Sequence, residues 1–309
     1  MKVIFLGTPD FAVSVLKAIL NSNHEVVAVV TQPDRMNARG NKVIFSPVKE
    51  VALKENISLY QFEKISRDGL ETLQAIDADI MVTAAYGQIL SNEVLNMKKY
   101  GVINAHASLL PKYRGSSPVQ WALINGEKEI GVTAMQTAYE VDSGAIINQM
   151  KIVLNGDENA EECLDALAKL GGESIVKALD DIEKGVATFT EQDHTQATHC
   201  RKLTKEDGKI DFNDTANNIV NKIRAFTPWP SAYCNTRFGR VKIIKAFVIE
   251  GEFTGANGEV LVAHKSTLTI KCASGAIGIQ ILQAENSRAM DVQAFLNGKS
   301  IQVGEIFEK

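Results

Sequence analysis

The sequence predicts an α/β protein in which a doubly wound domain, built on a parallel sheet, precedes a second domain built as a small β-barrel. Three observations carry this expectation. The 309 residues are enough for two domains at roughly 150 residues each. In the first half, short continuous β-branched runs alternate with segments of helical period, the pattern of βα units around a sheet covered on both faces. In the last third the runs become closely spaced and are separated by Gly and Asn, the pattern of short antiparallel strands.

The elements follow in order. Residues 3–6 read as a first strand and 11–20 as a helix, opened by Pro9 and Asp10, since proline is tolerated at a helix start. Residues 25–31, 79–85 and 101–105 are buried strands, so ligand sites should lie just beyond Leu6, Ala85 and Asn104, at the carboxyl ends. Apolar runs at 131–138 and 146–153 bracket a turn. Residues 160–184 form a long amphipathic helix with Cys163, Leu164, Leu167, Leu170, Ile175 and Leu179 on its apolar face. Residues 188–203 are polar and aperiodic, the mark of a linker. A helix over 215–226 stops at Pro228 and Pro230, and strands at 241–249, 258–263, 266–272 and 277–282 build a barrel of the oligonucleotide-binding kind, OB-like. The division expected is 1–188, a linker over 189–206, and 207–309.

Composition narrows the function. Hydrophobic residues at 45% and charged residues at 23% exclude disorder and fibre. The opening apolar stretch is too short for a signal peptide, and no run approaches the ~20 residues of a membrane span. Four cysteines, each more than thirty residues from the next, form neither a disulfide framework nor a zinc site, which fits a cytoplasmic setting. The net charge of -4 discourages nucleic-acid binding if taken whole. Its distribution does not. Residues 1–190 carry a net of -6, whereas residues 201–245 hold ten basic and four acidic residues, a local +6. Charge alone leaves a solvated lysine-rich face and a phosphate-binding surface equally open.

Gly7-Thr8-Pro9-Asp10 after the first strand lacks the glycines of a dinucleotide fingerprint, so no nicotinamide or flavin is expected. Phosphate loops, serine elbows and zinc-peptidase motifs are also missing from the sequence. Chemistry concentrates instead where the strand over 101–105 runs out. Asn104 and His106 stand two apart, so an extended chain points both side chains the same way. An amide beside an imidazole can bind a carbonyl oxygen and move a proton. A lone histidine more often occupies a core position bonded to a backbone carbonyl; the strand edge and the neighbouring amide turn the balance toward chemistry. Asp142, in the turn Glu140-Val141-Asp142-Ser143-Gly144-Ala145, reads from its spacing as a carboxylate open to either an Asx-turn or a catalytic role.

Asn104, His106 and Asp142, with Ser108-Leu109-Leu110-Pro111-Lys112-Tyr113-Arg114-Gly115 between them, resemble the signature of the folate-dependent formyltransferases. The likeness extends over nearly the whole chain. Gly7-Thr8-Pro9-Asp10-Phe11-Ala12, Thr31-Gln32-Pro33-Asp34-Arg35, Ser46-Pro47-Val48-Lys49, Arg201-Lys202-Leu203-Thr204-Lys205 and Ile223-Arg224-Ala225-Phe226-Thr227-Pro228-Trp229-Pro230 look like the branch of that family acting on methionyl-tRNA.

The resemblance implies a Rossmann-like formyltransferase domain, 10-formyltetrahydrofolate as cosubstrate, initiator methionyl-tRNA as partner and a monomer without metal. It implies that Asn104, His106 and Asp142 are catalytic, that Ser108, Leu109, Leu110 and Pro111 contact the folate, and that Gln88, Ile89 and Leu90 wall the pterin pocket. It further implies tRNA contact through the loop holding Arg35, Arg39 and Lys42, and through Arg201, Lys202 and Lys205. One departure is that the family commonly reads Gly-Leu-Asp-Thr-Gly-Asp around the aspartate, where this chain carries Glu140 and Ala145. The rival readings are a sugar-nucleotide formyltransferase, a formyltetrahydrofolate hydrolase and a noncatalytic tRNA-binding protein.

Overall fold

The structure, a computed structural model, describes residues 1–36 and 43–308. It divides into two compact units, each drawn from three stretches of chain. The first holds Met1–Pro118, Glu129–Val153 and Leu164–Cys200; the second holds Val119–Lys128, Leu154–Cys163 and Arg201–Lys309.

In the first unit the chain runs through β1 (Lys2–Gly7), α1 (Asp10–Leu20), β2 (Glu25–Thr31), β3 (Arg35–Met36), β4 (Val43–Ile44), α2 (Pro47–Lys54), β5 (Leu59–Gln61), α3 (Ile65–Asp68) and α4 (Leu70–Ala75). It continues through β6 (Ile80–Ala84), α5 (Asn92–Leu95), β7 (Val102–His106) and β8 (Arg114–Gly115). After α6 (Pro118–Ile124), which past Pro118 belongs to the second unit, come β9 (Glu129–Gln136), β10 (Ile146–Val153), α7 (Ala160–Glu183, in the first unit from Leu164) and β11 (His199–Cys200). The seven-stranded sheet has the order β10-β9-β7-β6-β1-β2-β5. Strands β5, β2, β1, β6 and β7 are parallel, and β9 and β10 add an antiparallel edge.

The two-residue strand period explains why β1 is apolar throughout. Val3 and Phe5 enter one core with α1 and α7, while Ile4 and Leu6 enter the core on the other face. The first core also shows why the apolar face expected for α7 was incomplete. Leu164 and Leu170 are only half-buried, whereas Ala168, Gly171, Gly172 and Ala178 are buried. Small residues make this seam because α1 lies close. A Cβ on Gly172 would stand 2.6 Å from the Ala18 Cβ.

The polar stretch expected as a linker packs instead on the first unit. Thr190 exchanges backbone hydrogen bonds with Ile146 at 2.8 and 2.9 Å, Gln192 is buried, and β11 pairs in parallel with β8. Its polar groups are satisfied by the protein, so composition alone gave no sign of burial.

The second unit contains α8 (Ala216–Ala225), β12 (Ala232–Thr236), β13 (Gly239–Ile249), β14 (Val260–His264), β15 (Thr267–Lys271), β16 (Ala276–Ala284), β17 (Met290–Asp291) and α9 (Val292–Gly298). Thr215 caps α8 by accepting the Asn218 N–H at 3.2 Å, an interaction generally worth about 1 kcal/mol. The helix ends at Ala225 with Phe226 as its cap, within one residue of the expected end ahead of Pro228. Its Ile219, Val220 and Ile223 join the core formed by Val241, Ile243, Ile270, Ile277 and Leu282. The antiparallel order β12-β13-β16-β15-β14 leaves β12 and β14 at the edges. Residue Glu308 bridges Asn235 in β12, and Ile306 bridges Glu259 beside β14, so the end of the chain joins the edges into the expected small barrel.

Gly172→Val should overpack the α1–α7 seam and lower stability by about 1–3 kcal/mol. Urea unfolding checks this, and wild-type stability would contradict the close approach.

Candidate active site at the carboxyl ends of the central strands

From β1 the chain builds outward through β2 and β5 on one side, then returns to place β6 and β7 on the other. Loops leaving β1 and β6 therefore diverge at a switch point, where a doubly wound sheet opens a crevice. Side chains tie these loops together. Thr8 Oγ1 donates to the Tyr86 carbonyl at 3.2 Å, and Gln32 Nε2 donates to the same oxygen at 3.0 Å. Tyr86 itself lies in the core, its hydroxyl without a partner among the described residues, and burial pushes its pKa well above the ordinary phenol range. It remains neutral.

Strand β7 continues through His106, so Asn104 and His106 share one face, opposite Ile103 and Ala105, which enter the α1–α7 core. Thr83, one strand away, donates its hydroxyl to Asn104 Oδ1 at 2.8 Å. That bond leaves the two amide N–H groups of Asn104 as donors for a ligand oxygen. His106 is 7% exposed. Its Nε2 lies 2.9 Å from the Tyr113 carbonyl. A carbonyl can only accept, so Nε2 carries a proton and, in the neutral ring, Nδ1 holds the lone pair. Nδ1 faces Asp142 Oδ2 at 3.5 Å. The imidazole thus has the backbone carbonyl partner weighed from the sequence and, at its other nitrogen, a facing carboxylate.

Asp142 arrives on the loop between β9 and β10. Its φ of +53° lies in the left-handed region, which costs an L-residue energy unless the surroundings impose it. They do. The Gly115 N–H donates to Asp142 Oδ2 at 2.7 Å, and Gln192 Nε2 donates to the Asp142 and Gly144 carbonyls at 2.9 and 2.8 Å. Gly144 is required for the same turn, because a Cβ there would fall 1.9 Å from the Gln136 carbonyl oxygen. The Asx-turn reading is not what the geometry gives, since the carboxylate bonds to β8 rather than to its own turn. Thr83, Arg114 and Gln192 were not singled out in the sequence; they sit in a buried run, a motif and a polar stretch respectively, and only folding brings them here.

The expected folate segment is anchored from below. Thr133 Oγ1 accepts the Leu110 N–H at 3.2 Å and donates to the Ser108 carbonyl at 2.7 Å, while Gln149 Nε2 donates to Leu110 O at 2.8 Å. Ser108 and Leu110 are buried; Leu109 and Pro111 are partly open. The Ser108 hydroxyl donates to the Lys112 carbonyl at 2.7 Å, so it shapes the loop. Gln88 likewise braces its surroundings, accepting the Ile65 N–H at 2.8 Å and donating to Phe62 O at 2.9 Å. Leu90 enters the core, and Ile89, 74% exposed, offers the open apolar surface of the three.

Of the expected tRNA contacts, Arg39 and Lys42 lie outside the described residues. Arg35 is exposed on the β3–β4 hairpin, whose root is held by Lys49 bonded to Asp34 at 2.5 Å and Gln61 at 3.2 Å. Lys202 and Lys205 are exposed in the second unit. Arg201 is engaged internally: it pairs with Asp207 and lies over the Trp121 ring at 5.2 Å, while its carbonyl accepts the Trp121 indole N–H at 2.9 Å. The local +6 is also partly internal. Arg224 is buried against the Glu158 carbonyl, Lys222 donates to Lys209 O, and Arg237 pairs with Glu305 at 3.0 Å.

Among the described residues the one grouping with metal-ligand spacing is His24, Asp180 and Glu183. It lies at the amino ends of β1 and β2, where the Met1 amine bonds His24 Nδ1 and Glu183, and includes none of Asn104, His106 or Asp142. Among the described residues no helix is long and apolar enough to cross a membrane.

Residues 1–179 match the formyl transferase family, and residues 202–300 match the formyl transferase C-terminal domain. A methionyl-tRNA formyltransferase of Sulfurihydrogenibium sp. (strain YO3AOP1) is 42% identical over 311 residues, covering 100% of each chain. One of Streptococcus uberis (strain ATCC BAA-854 / 0140J) is 41% identical over 310 residues and 99% of each. Among solved structures, an N-formyltransferase of Helicobacter canadensis, in complex with folinic acid and dTDP-3-aminofucose, superposes with a TM-score of 0.68 at 22% identity. It covers 91% of this chain and 99% of that one. At this identity the likeness concerns the fold alone.

The Arg201 guanidinium, with the Thr204 N–H and hydroxyl, holds the Asp207 carboxyl below its ordinary pKa. A lowered aspartate pKa adds stability that is complete above the unfolded value and is lost as pH falls through the folded one. Asp207→Asn should therefore destabilise the protein near neutrality, and the difference from wild type should shrink below about pH 4. Denaturation at several pH values checks this; a pH-independent difference would contradict it.

Proposed function

The chain belongs to the formyl transferase family, and we propose that it transfers the formyl group of 10-formyltetrahydrofolate to the α-amino group of methionine on initiator methionyl-tRNA. The observation that carries this reading is the convergence of Asn104, His106 and Asp142 in one unit of a chain with full-length methionyl-tRNA formyltransferase relatives.

The reaction moves an acyl group between two nitrogens. The neutral amine attacks the formyl carbon, giving a tetrahedral intermediate with an oxyanion and an ammonium. Collapse breaks the bond to N10, the ammonium loses one proton, and N10 gains one. Asn104, its Oδ1 held by Thr83, turns its N–H donors to the oxyanion; removal of one such donor in acyl transfer typically costs about 100-fold or more. The Nε2–H of His106 is committed to Tyr113, so proton exchange takes place at Nδ1, beside Asp142 Oδ2. The pair accepts the amine proton, through water where direct contact fails, and returns a proton to N10. The segment from Ser108 to Pro111 and the exposed Ile89 border the folate, with Gln88 and Leu90 bracing that wall.

The tRNA is held in two places: by the hairpin bearing Arg35 and the stretch with Arg39 and Lys42, and by cations of the second unit including Lys202 and Lys205. Arg201 enters as a brace for Lys202 through its bond to Asp207. The sugar-nucleotide, hydrolase and noncatalytic readings are less well supported, since the full-length relatives are named for methionyl-tRNA.

Formyl transfer to methionyl-tRNA should be measured beside an amino-sugar nucleotide; transfer to the sugar alone would overturn the reading. His106→Ala and Asp142→Asn should each lower kcat by at least about 100-fold while folate binding persists. Near-normal turnover would contradict the roles assigned. Affinity for tRNA should fall linearly with salt on logarithmic axes, in proportion to the phosphates neutralised. A flat salt dependence would exclude phosphate-led binding.

A further inference from the structure

The buried polar network behind Asp142 is unusual in its composition. Arg114 is 2% exposed and Gln192 is 4% exposed. Arg114 Nε and Nη2 donate to Gln192 Oε1 at 3.1 and 2.7 Å, and Nη2 also donates to His194 Nδ1 at 3.1 Å. Among the described residues no carboxylate bonds this guanidinium. A buried cation is costly unless its donors are well satisfied, and here they fix the orientation of one carboxamide. With its oxygen on the arginine, the Gln192 amide must present its two N–H groups to the opposite side. Both are used there, on the carbonyls of Asp142 and Gly144.

We propose that Gln192, oriented by Arg114, is a positioning residue for Asp142: its carboxamide clamps the left-handed turn that brings Asp142 Oδ2 to His106 Nδ1. The proposal rests on the catalytic reading of Asp142 and His106 given above. Two anchors then fix the carboxylate. The Gly115 N–H holds Oδ2 directly, and Gln192 holds the backbone on either side of Ser143. Arg114 and Gly115 are adjacent in β8, so one short strand supplies both anchors, one directly and one through Gln192. Pairing with β11 holds that strand in register. The stretch between α7 and β11, polar and aperiodic in sequence, thereby acquires a role in the reaction without touching the substrate.

The test uses Gln192→Glu in the full-length protein. A carboxylate keeps the shape and accepts from Arg114, but cannot donate to the Asp142 and Gly144 carbonyls. Gln192→Met, similar in length and without donors, gives a second reading free of added charge should the glutamate variant fail to fold. Each is measured alone and combined with Asp142→Asn, by steady-state formyl transfer to methionyl-tRNA. The expected result is a loss of about 100-fold in kcat, the scale of a displacement near 1 Å at a reacting centre. KM for folate and tRNA should change by less than about twofold, since ground-state binding is untouched. In the Asp142→Asn background the same changes should lower the residual rate by less than about twofold, because the group being positioned is gone. An equal loss in both backgrounds, or wild-type kcat in Gln192→Glu or Gln192→Met, would overturn the positioning role and leave the catalytic reading of Asp142 intact. Wild-type kcat in Asp142→Asn alone would overturn that reading, and this proposal with it.

Discussion

The site depends on one approach: the carboxylate of Asp142 beside Nδ1 of His106, at 3.5 Å. Neither group is placed there by regular structure alone. His106 is the last residue of β7, and Asp142 sits in a turn whose backbone enters the left-handed region. The approach persists because three separate groups bond the partners: the Tyr113 carbonyl on His106, the Gly115 N–H on Asp142, and the Gln192 carboxamide on the turn. The first and last come from irregular segments, and the Gly115 N–H from the two-residue β8. Preorganisation of this kind lets fixed dipoles meet developing charge without reorganising during the reaction.

The sheet supplies the platform. With apolar side chains on both faces of β1, β6 and β7, the strands are locked by two cores, and polar chemistry is confined to their carboxyl ends. Asn104 fits this rule most simply. It reaches the end of β7 on the same face as His106, and Thr83 on the adjoining β6 takes its carbonyl oxygen, freeing the amide N–H groups. The packing of α1 on the small residues of α7 covers the opposite face. In the reading proposed above, a rigid floor and a tethered loop together define where a reacting carbon can lie.

Much of this was legible in the sequence. The two-residue interval between Asn104 and His106 placed both on one strand face, and the apolar runs over 131–138 and 146–153 placed Asp142 in the connecting turn. Proline signals at Pro228 and Pro230 bounded α8 at its carboxyl end. What was hidden shares one physical cause, which is that hydrogen bonding conceals burial. Gln192 and Thr190 lie in a polar stretch that composition assigns to solvent, yet backbone and side-chain partners draw that stretch onto the first unit. Arg224 counts as positive charge in a sequence sum, but it is buried within the second unit against the Glu158 carbonyl, and Arg237 pairs with Glu305, which lies outside the counted stretch. A sum of charges therefore overstates the cationic surface, and a polarity profile overstates the linker. Small residues mislead in the opposite sense: Gly171 and Gly172 carry no hydrophobic signal, although the α1–α7 contact depends on their lack of side chains.

The central claim is that the imidazole of His106 is fixed by Tyr113 and exchanges its proton at Nδ1, beside Asp142. Nitrogen-15 NMR of the His106 ring through a pH titration tests it most directly, because the two ring nitrogens report their protonation separately. The account predicts that the neutral ring carries its proton on Nε2, against the Tyr113 carbonyl. A neutral ring that carries its proton on Nδ1 would contradict it.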